Sequence, residues 1–438
     1  MLKILKMLKP HHAVAMTVLA LAGTCLAQAP AASQPAAPAT QGQLKDGDFV
    51  AVCGDSITEQ RIYSRIIAGY LLMCQPAPDL RAMQAGWSGE WANGFQGRLA
   101  TDVLPLKPTV ATTCYGMNDG GYKAFTESTG AGYRTAQTAI VKKFKEAGVR
   151  LIIIGSPGVV DRDTFHGGGN ASVVYNETLA KLGDIDRQIA AEEGVVFADL
   201  HTPMMDVMIK AKAKYGMIYN VCGGDGVHPN YNGHTIMAYA FLKAMGCDGN
   251  IGAITLDLAS ARAEATAGHE VTSAAAGSAT IKSTRYPFCF FGDAKDPSSA
   301  KAILEFLPFN ADLNRLTLIV KGANADAAYH VTWGEKSRDF TGEVLAKGIN
   351  LAAEFPDNPF SDAFKKVDAA VGQLQGYETP LTKELLHNIR PYQSALKDDP
   401  ATVDALLAKL IARDKTLADA ARAAVVPVTH TIKVEAAK

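Results

Sequence analysis

Several things are missing from this 438-residue sequence. It contains no Cys-x-x-Cys pair, no His-Glu-x-x-His block and no Cys/His cluster, so zinc and thioredoxin-like chemistry have no starting point. Neither sign of charge dominates: Lys+Arg 43 face Asp+Glu 44, a formal net charge of −1. A chain without a basic face has no electrostatic footprint for a nucleic-acid partner. No internal repeat is present. Beyond the N-terminus no apolar run is long enough to span a bilayer. Tryptophan is scarce, three in all, yet Trp87 and Trp91 fall within five residues of each other. No metal or cofactor is expected.

The first residues read as a secretory signal. Lys3, Lys6 and Lys9 precede an apolar run from Ala13 to Ala22, and Cys25-Leu26-Ala27 offers a small-residue cleavage site. The expectation is a signal peptide over 1–27 and a protein exported to the periplasm or beyond. Ala22-Gly23-Thr24-Cys25 comes near a lipoprotein signal, which leaves a lipid anchor open. Residues 28–43 are Ala, Pro, Gln, Ser and Thr, with Gly42 the one exception, and lack periodicity, a linker. The six later cysteines are Cys53, Cys74, Cys114, Cys222, Cys247 and Cys289. Export permits disulfides, but Cys53 and Cys114 sit in apolar strand-like runs and read as core thiols.

Over 44–250 short apolar runs alternate with helical stripes. Strands are predicted at 49–53, 110–115, 149–154 and 194–200, and helices at 62–73, 133–147, 171–193 and 235–245. That order implies a parallel sheet covered on both faces. After 250 the texture changes. Ile254, Leu256 and Leu258 alternate with polar residues, as do Leu316, Leu318 and Val320, which predicts antiparallel strands with one wet face. Stripes at 360–374 and 403–410 predict two helices, the second opened by Asp399-Pro400 as N-cap and N1 proline. The closing run Val426, Val428, His430, Ile432 and Val434 predicts a strand returning to the β-layer begun at 254. The expectation over 251–438 is therefore a β-rich region with helices inserted before its last strand.

Two short words carry chemistry. Gly54-Asp55-Ser56-Ile57-Thr58-Glu59 places a serine where a strand hands over to a helix. Asp225-Gly226-Val227-His228-Pro229 places an aspartate and a histidine three residues apart. Together they supply a nucleophile, a base and a carboxylate to orient the base. A serine at a helix start is also a common cap, and the weight comes from the whole set. His234 is a rival base, read as structural because it falls inside the following helix. Asp199 and His201 form another Asp/His pair with no matching serine and are read as loop residues. Asn170-Ala171-Ser172 and Asn176-Glu177-Thr178 match the N-glycosylation pattern, which is too short to carry weight.

The order and spacing of these blocks resemble the SGNH (GDSL-type) esterase family. The family's Gly-x-Asn-Asp block matches Gly116-Met117-Asn118-Asp119. Its Asn-x-Gly-x-x-Gly block matches Gln84-Ala85-Gly86-Trp87-Ser88-Gly89, with Gln84 in place of the leading asparagine. The resemblance implies a flavodoxin-like three-layer α/β/α sandwich over 44–250, and esterase chemistry through an acyl-enzyme without metal. It makes Ser56 the nucleophile, His228 the base and Asp225 its orienting carboxylate. The oxyanion donors would be Ser56, Gly89 and Asn118, with Gly86 as the alternative glycine. Asp55 would be structural. Trp87 and Trp91 are candidate substrate contacts, since aromatic faces stack on sugar rings, although core or lid packing is the plainer role. The substrate expected is a small-molecule or polysaccharide ester, and export, the tryptophan pair and the appended β-rich region together favour removal of acetyl groups from a polysaccharide. The competing readings are a secreted lipase or aryl esterase, and a non-catalytic glycan-binding protein.

Overall fold

A strand buried on both faces does not alternate, and the first strands of this chain do not. β1 (Phe49–Gly54), β3 (Val110–Cys114) and β4 (Leu151–Gly155) are buried at every position. With β2 (Arg81–Gly86) and β5 (Val196–Ala198) they form a parallel sheet in the order β2-β1-β3-β4-β5. Alternate residues of β1 feed two cores. Val50 and Val52 pack with the helices Tyr63–Met73 and Tyr231–Ala244, and Ala51 and Cys53 with Ala92–Asp102 and Glu127–Glu146. This is the doubly wound sandwich that was expected. The strand order reverses at β1, so a crevice opens beyond the carboxyl ends of β1 and β3.

The computed structural model describes residues 43–167, 169–296 and 299–437. The predicted signal segment and the linker up to residue 42 lie outside the described residues. The described residues belong to one compact unit.

Several expected boundaries moved. The helix predicted from 133 starts at Glu127, because the Thr126 side chain accepts from the Thr129 N–H and caps it. The strand predicted over 194–200 is only three residues long. Of the Asp199/His201 pair read as loop residues, Asp199 does lie in the loop after β5 and only His201 is helical. His201 opens the helix His201–Tyr215, and Asp199 Oδ1 accepts from the Thr202 N–H at 3.0 Å.

The C-terminal region holds two sheets rather than one layer. A mixed sheet runs β13-β10-β6-β7, from β6 (Asn250–Asp257), β7 (Arg262–Ala265), β10 (Arg315–Lys321) and β13 (Ile349–Asn350). An antiparallel sheet runs β12-β11-β14-β9-β8, from β8 (His269–Ala275), β9 (Ser278–Ser283), β11 (Ala328–Trp333), β12 (Lys336–Thr341) and β14 (Val428–Ala436). The two runs expected to be antiparallel, 254–258 and 316–320, lie in β6 and β10, which pair with each other in parallel. The long connection between them allows the crossover that a parallel pair needs. The closing strand β14 does not join β6. It lies between β9 and β11 in the second sheet.

The two inserted helices are Ser361–Pro380 and Pro400–Ala423. The stripe expected to bury the second helix is only partly buried: Val403 is buried, but Leu406 is 49% exposed. The helix Ser361–Pro380 packs against Tyr63–Met73 and β2. Arg65 and Asp368 form a two-pronged ion pair there, at 2.7 and 2.5 Å. The insert therefore caps the β2 edge of the first sheet.

The candidate active site

Ser56 is the first residue of the short helix that leaves β1. Asp55 caps that helix, its Oδ1 accepting from the Ile57 N–H at 2.9 Å. Burial, chiefly, pushes the Asp55 carboxyl up to about 7. Gly86 ends the neighbouring strand, and any Cβ there would collide with the Glu59 backbone. That close approach lets the serine turn sit against the end of β2.

His228 is held from a second loop, 172 positions along the chain. Gly223 and Gly226 turn this loop with φ of 71° and 75°. A side chain at Gly223 would strike the His228 carbonyl. Asp225 Oδ1 accepts from the Val227 and His228 backbone N–H groups, each at 2.9 Å. Its Oδ2 lies 2.6 Å from His228 Nδ1, and His228 Nε2 lies 2.8 Å from Ser56 Oγ. Partial burial would raise the Asp225 pKa, but the bonds from His228 and Val227 outweigh it and the group stays below its ordinary value. An ionised carboxylate can only accept, so Nδ1 carries the proton. Nε2 is left with a lone pair facing the Ser56 hydroxyl, the geometry that makes a hydroxyl nucleophilic.

Asn118 follows β3. Its Oδ1 accepts from the Tyr122 hydroxyl at 3.0 Å, which turns Nδ2 toward the Glu90 carbonyl at 3.1 Å and Asp55 Oδ2 at 3.4 Å. The second contact is long, so one amide N–H is only loosely held. Asp119 beside it accepts from Ala92 N–H at 2.9 Å and Gly116 N–H at 3.0 Å, and burial pushes its carboxyl up to about 6. Gly89 lies in an exposed loop with φ of 71°. His234 is buried, stacks on Tyr63 and meets Gln60 Oε1 at 3.0 Å, so it packs beneath the serine helix.

The two tryptophans part company. Trp91 is 55% exposed and lines a groove of about 640 Å³ with Asn93, Asp119, Lys123, Ser128 and Thr129. Trp87 is half-buried, its ring 4.8 Å from the His387 ring, with Lys383 Nζ and the Arg98 guanidinium 4.9 and 5.0 Å from it. One part of its ring is therefore taken up by contacts with these three side chains. Two larger hollows, of about 730 and 790 Å³, are lined by none of the predicted site residues. Among the described residues no group of three or more His, Cys, Asp or Glu could hold a metal ion, and no helix is long and apolar enough to cross a membrane. The six described cysteines are free and buried, and burial raises all six thiol pKa values.

Sequence reasoning missed Tyr122, which stands in the left-handed region at φ 57° and orients Asn118. A non-glycine residue held there is often functional. The two glycines before it, Gly120-Gly121, were the available signal. Sequence reasoning also missed Glu59, Lys383 and His387.

A serine on the turn after the switch-point strand, with a histidine and a carboxylate in line, is the constellation of a serine hydrolase, and the family match narrows the class to hydrolases of ester bonds. Residues 52–236 match the model of the GDSL-like Lipase/Acylhydrolase family, and the chain carries a domain of that family. An acetylxylan esterase of Geobacillus stearothermophilus is 24% identical over 211 residues, covering 46% of this chain and 91% of that protein. The crystal structure of Axe2, an acetylxylan esterase from that organism, aligns at 23% identity over 47% of this chain and 96% of its own, with a TM-score of 0.39. A gut microbial diltiazem-metabolizing enzyme aligns over 91% of this chain and 99% of its own, at 21% identity and a TM-score of 0.70. That likeness shows a fold shared across nearly the whole chain, the C-terminal region included.

Proposed function

We propose that the protein removes acetyl groups from carbohydrate hydroxyls outside the cytoplasm, with Ser56 as nucleophile, His228 as base and Asp225 as its orienting carboxylate. The observation that carries the residue roles is the unbroken line from Ser56 Oγ to His228 Nε2 and from His228 Nδ1 to Asp225 Oδ2, at 2.8 and 2.6 Å. His228 takes the Ser56 proton as Oγ attacks the ester carbonyl. It then returns that proton to the departing sugar oxygen. Water, deprotonated by the same imidazole, releases acetate from the acyl-enzyme. Asn118 Nδ2, Gly89 N–H and Ser56 N–H are the donors for the tetrahedral oxyanion.

The substrate reading rests on three supports. The protein matched at 24% identity is an acetylxylan esterase. Trp91 offers an exposed ring beside Asp119, over a groove whose other walls include Asn93, Lys123, Ser128 and Thr129. The polar side chains among these walls can hydrogen-bond sugar hydroxyls, and the Trp91 ring can stack on a sugar face. Export is supported by the basic, apolar and small-residue segments of residues 1–27.

The test is an ester panel on the purified chain, from acetylated xylo-oligosaccharides through aryl acetates to long-chain acyl esters, with Ser56→Ala as control. The expected ranking puts the acetylated sugar first in kcat/KM, with Trp91→Ala raising KM for the sugar and not for the aryl acetate. A preference for long acyl chains would replace this reading with a lipase.

A further inference from the structure

The helical insert reaches the active site in three places, all on one helix face. Thr379, Lys383 and His387 are spaced four residues apart, on successive turns through the π-helical segment Leu381–Leu386. Each holds a residue of the catalytic half. Thr379 Oγ1 accepts from Gln84 Nε2 at 2.6 Å, and Gln84 Oε1 in turn accepts from the Gly86 N–H at 3.0 Å. Lys383 Nζ donates to Glu59 Oε1 at 2.6 Å, and Glu59 Oε2 accepts from the Ser88 N–H at 2.5 Å. His387 Nδ1 lies 2.9 Å from Asp102 Oδ2, and its ring packs on Trp87. Asp102 lies 3.6 Å from Arg98, and Arg98 grips Glu90 with bonds of 2.6 and 2.7 Å. The Glu90 carbonyl is the atom that holds Asn118 Nδ2.

One of these chains ends on Asn118 and the other two end beside Gly89, at the Gly86 and Ser88 N–H groups. Those two fix the end of β2 at Gly86 and the following loop at Ser88, on either side of Trp87 and just before Gly89. The third runs through a buried ion-pair network to Asn118. Gln84, the position at which this sequence departs from the family block, is the residue that Thr379 touches. A side chain reaching outward to the insert stands where the family pattern has asparagine. We infer that the Thr379–Lys383–His387 face of the C-terminal insert positions the oxyanion hole, so that the esterase site is completed by the region after residue 250. Lys383 and His387 are positioning residues. Neither is bonded to Ser56, and each acts through the residue it holds, Glu59 for Lys383 and Asp102 for His387. The inference rests on the reading of Ser56, Gly89 and Asn118 given above.

The test uses the full chain with an aryl acetate as substrate and phenylboronic acid as probe. Ser56 Oγ adds to the boron, its proton passing to His228, and a boronate oxygen occupies the place of the oxyanion. Lys383→Met keeps the aliphatic reach without the charge, and His387→Phe keeps the ring on Trp87 without the nitrogen. Each is expected to lower kcat roughly 10- to 100-fold, as small misplacements of catalytic groups do. KM should stay within about twofold, and boronate affinity should fall in proportion to kcat. Lys383→Arg should restore most of the loss. A purely structural role would lower the melting temperature and leave the boronate affinity of the folded fraction unchanged, and that result overturns the inference. So does wild-type kcat in the Lys383→Met/His387→Phe double variant while Ser56→Ala is inactive. Full activity in Ser56→Ala would overturn the site reading itself, and this inference with it. If the double variant does not fold, Glu59→Gln and Thr379→Val pose the same question from milder changes, with the same two outcomes.

Discussion

Each half of the molecule contains a serine hydroxyl bonded to a histidine ring, and only one of those rings has a carboxylate hydrogen-bonded to it. In the catalytic half Ser56 meets His228 Nε2, and Asp225 accepts the hydrogen bond from His228 Nδ1–H. In the C-terminal half Ser283 Oγ lies 3.0 Å from His430 Nε2 and 2.8 Å from His269 Nδ1. There the Trp333 indole N–H donates to His430 Nδ1 at 3.0 Å. Indole can only donate, so His430 carries its proton on Nε2 and donates to Ser283. The Ser283 hydroxyl then donates to His269 Nδ1, and His269 Nε2–H donates to the Ile251 carbonyl at 3.1 Å. Every group is satisfied, the chain runs one way, and no carboxylate is in hydrogen-bond contact with either ring to stabilise an imidazolium. A Ser–His contact is therefore no sign of chemistry by itself. What distinguishes the two is which ring nitrogen is left unprotonated, and whether the charge that would form has a partner.

The sharpest way to break this comparison is to remove both serines in turn. Ser56→Ala is expected to lower kcat on an acetyl ester by on the order of 10³ or more, and His228→Ala by a similar factor, because such residues act as a unit. Ser283→Ala should leave kcat unchanged and lower the melting temperature, because it orphans two buried imidazoles. An active Ser56→Ala enzyme, or an inactive but folded Ser283→Ala enzyme, would reverse the assignment.

A pair of asparagines sharpens the same point at smaller scale. Asn314 spends its whole amide on structure. Nδ2 donates to the Phe288 carbonyl and to Asn310 Oδ1, each at 2.9 Å, and Oδ1 accepts from the Phe288 N–H at 2.7 Å. Asn118 keeps one N–H loosely bound. Asn118→Ala should lower kcat roughly 10²- to 10³-fold with little change in KM. Asn314→Ala should cost stability alone. A large KM effect at Asn118 with kcat intact would make it a ground-state contact.

These contrasts mark what could be read from sequence. The Ser56 and His228 words are local, a strand followed by a turn and a glycine-rich loop before a helix, so composition and spacing reveal them. β2 (Arg81–Gly86) was not foreseen as a strand because Arg-Ala-Met-Gln-Ala-Gly has no β-branched or aromatic residue, and its place between β1 and the insert holds it extended. Alternation at 254–258 and 316–320 identified strands but carries nothing about direction, so the parallel pairing was missed. Glu59–Lys383 and Asp102–His387 join residues 324 and 285 positions apart. In sequence, Thr379, Lys383 and His387 look like an ordinary wet helix face. Their partners are visible only once the insert is seen to cap the β2 edge.

Acid should separate the two halves next. Burial pushes the His430 pKa down to about 4 and lowers that of His269. An unfolded histidine titrates near 6.5. Between those values the unfolded chain binds more protons than the folded one, so stability falls as pH falls. The contribution of His430 is complete above about 6.5, shrinks below it, and is gone once the pH has passed below its folded value, a loss on the order of 3 kcal/mol. Thermal melts from pH 7 to 4 should show that decline, and His430→Leu, less stable at pH 7, should decline less steeply. An equal slope in both proteins would place the acid sensitivity elsewhere. His234 is the first alternative, because burial pushes it down to about 3.

The smallest expected effect lies where the halves meet. Glu378 of the insert is buried and accepts the Gln84 N–H at 2.9 Å, so one carboxyl group ties the insert to β2. Burial, and then the nearby Asp414, raises its pKa well above the ordinary carboxylate value. An unfolded glutamate ionises near 4.3. Above that pH the unfolded chain gives up its proton first, so stability is lost as pH rises from there toward the folded pKa. Glu378→Gln keeps an oxygen for the Gln84 N–H and has no proton to lose. At pH 8 it should raise stability by about 1 kcal/mol, and at pH 4 the gain should vanish. Asp414 also feels the change, since its own carboxyl is raised by burial against the opposing pull of Arg81, 3.3 Å away. With no titratable group left at 378, Asp414 has only the Arg81 charge to answer to, so the benefit at pH 8 should shrink when Asp414→Asn is added. Additive effects of the two substitutions would show that the carboxyls titrate independently. The buried edge between the halves would then be held by hydrogen bonds and packing, with no charge coupling across it.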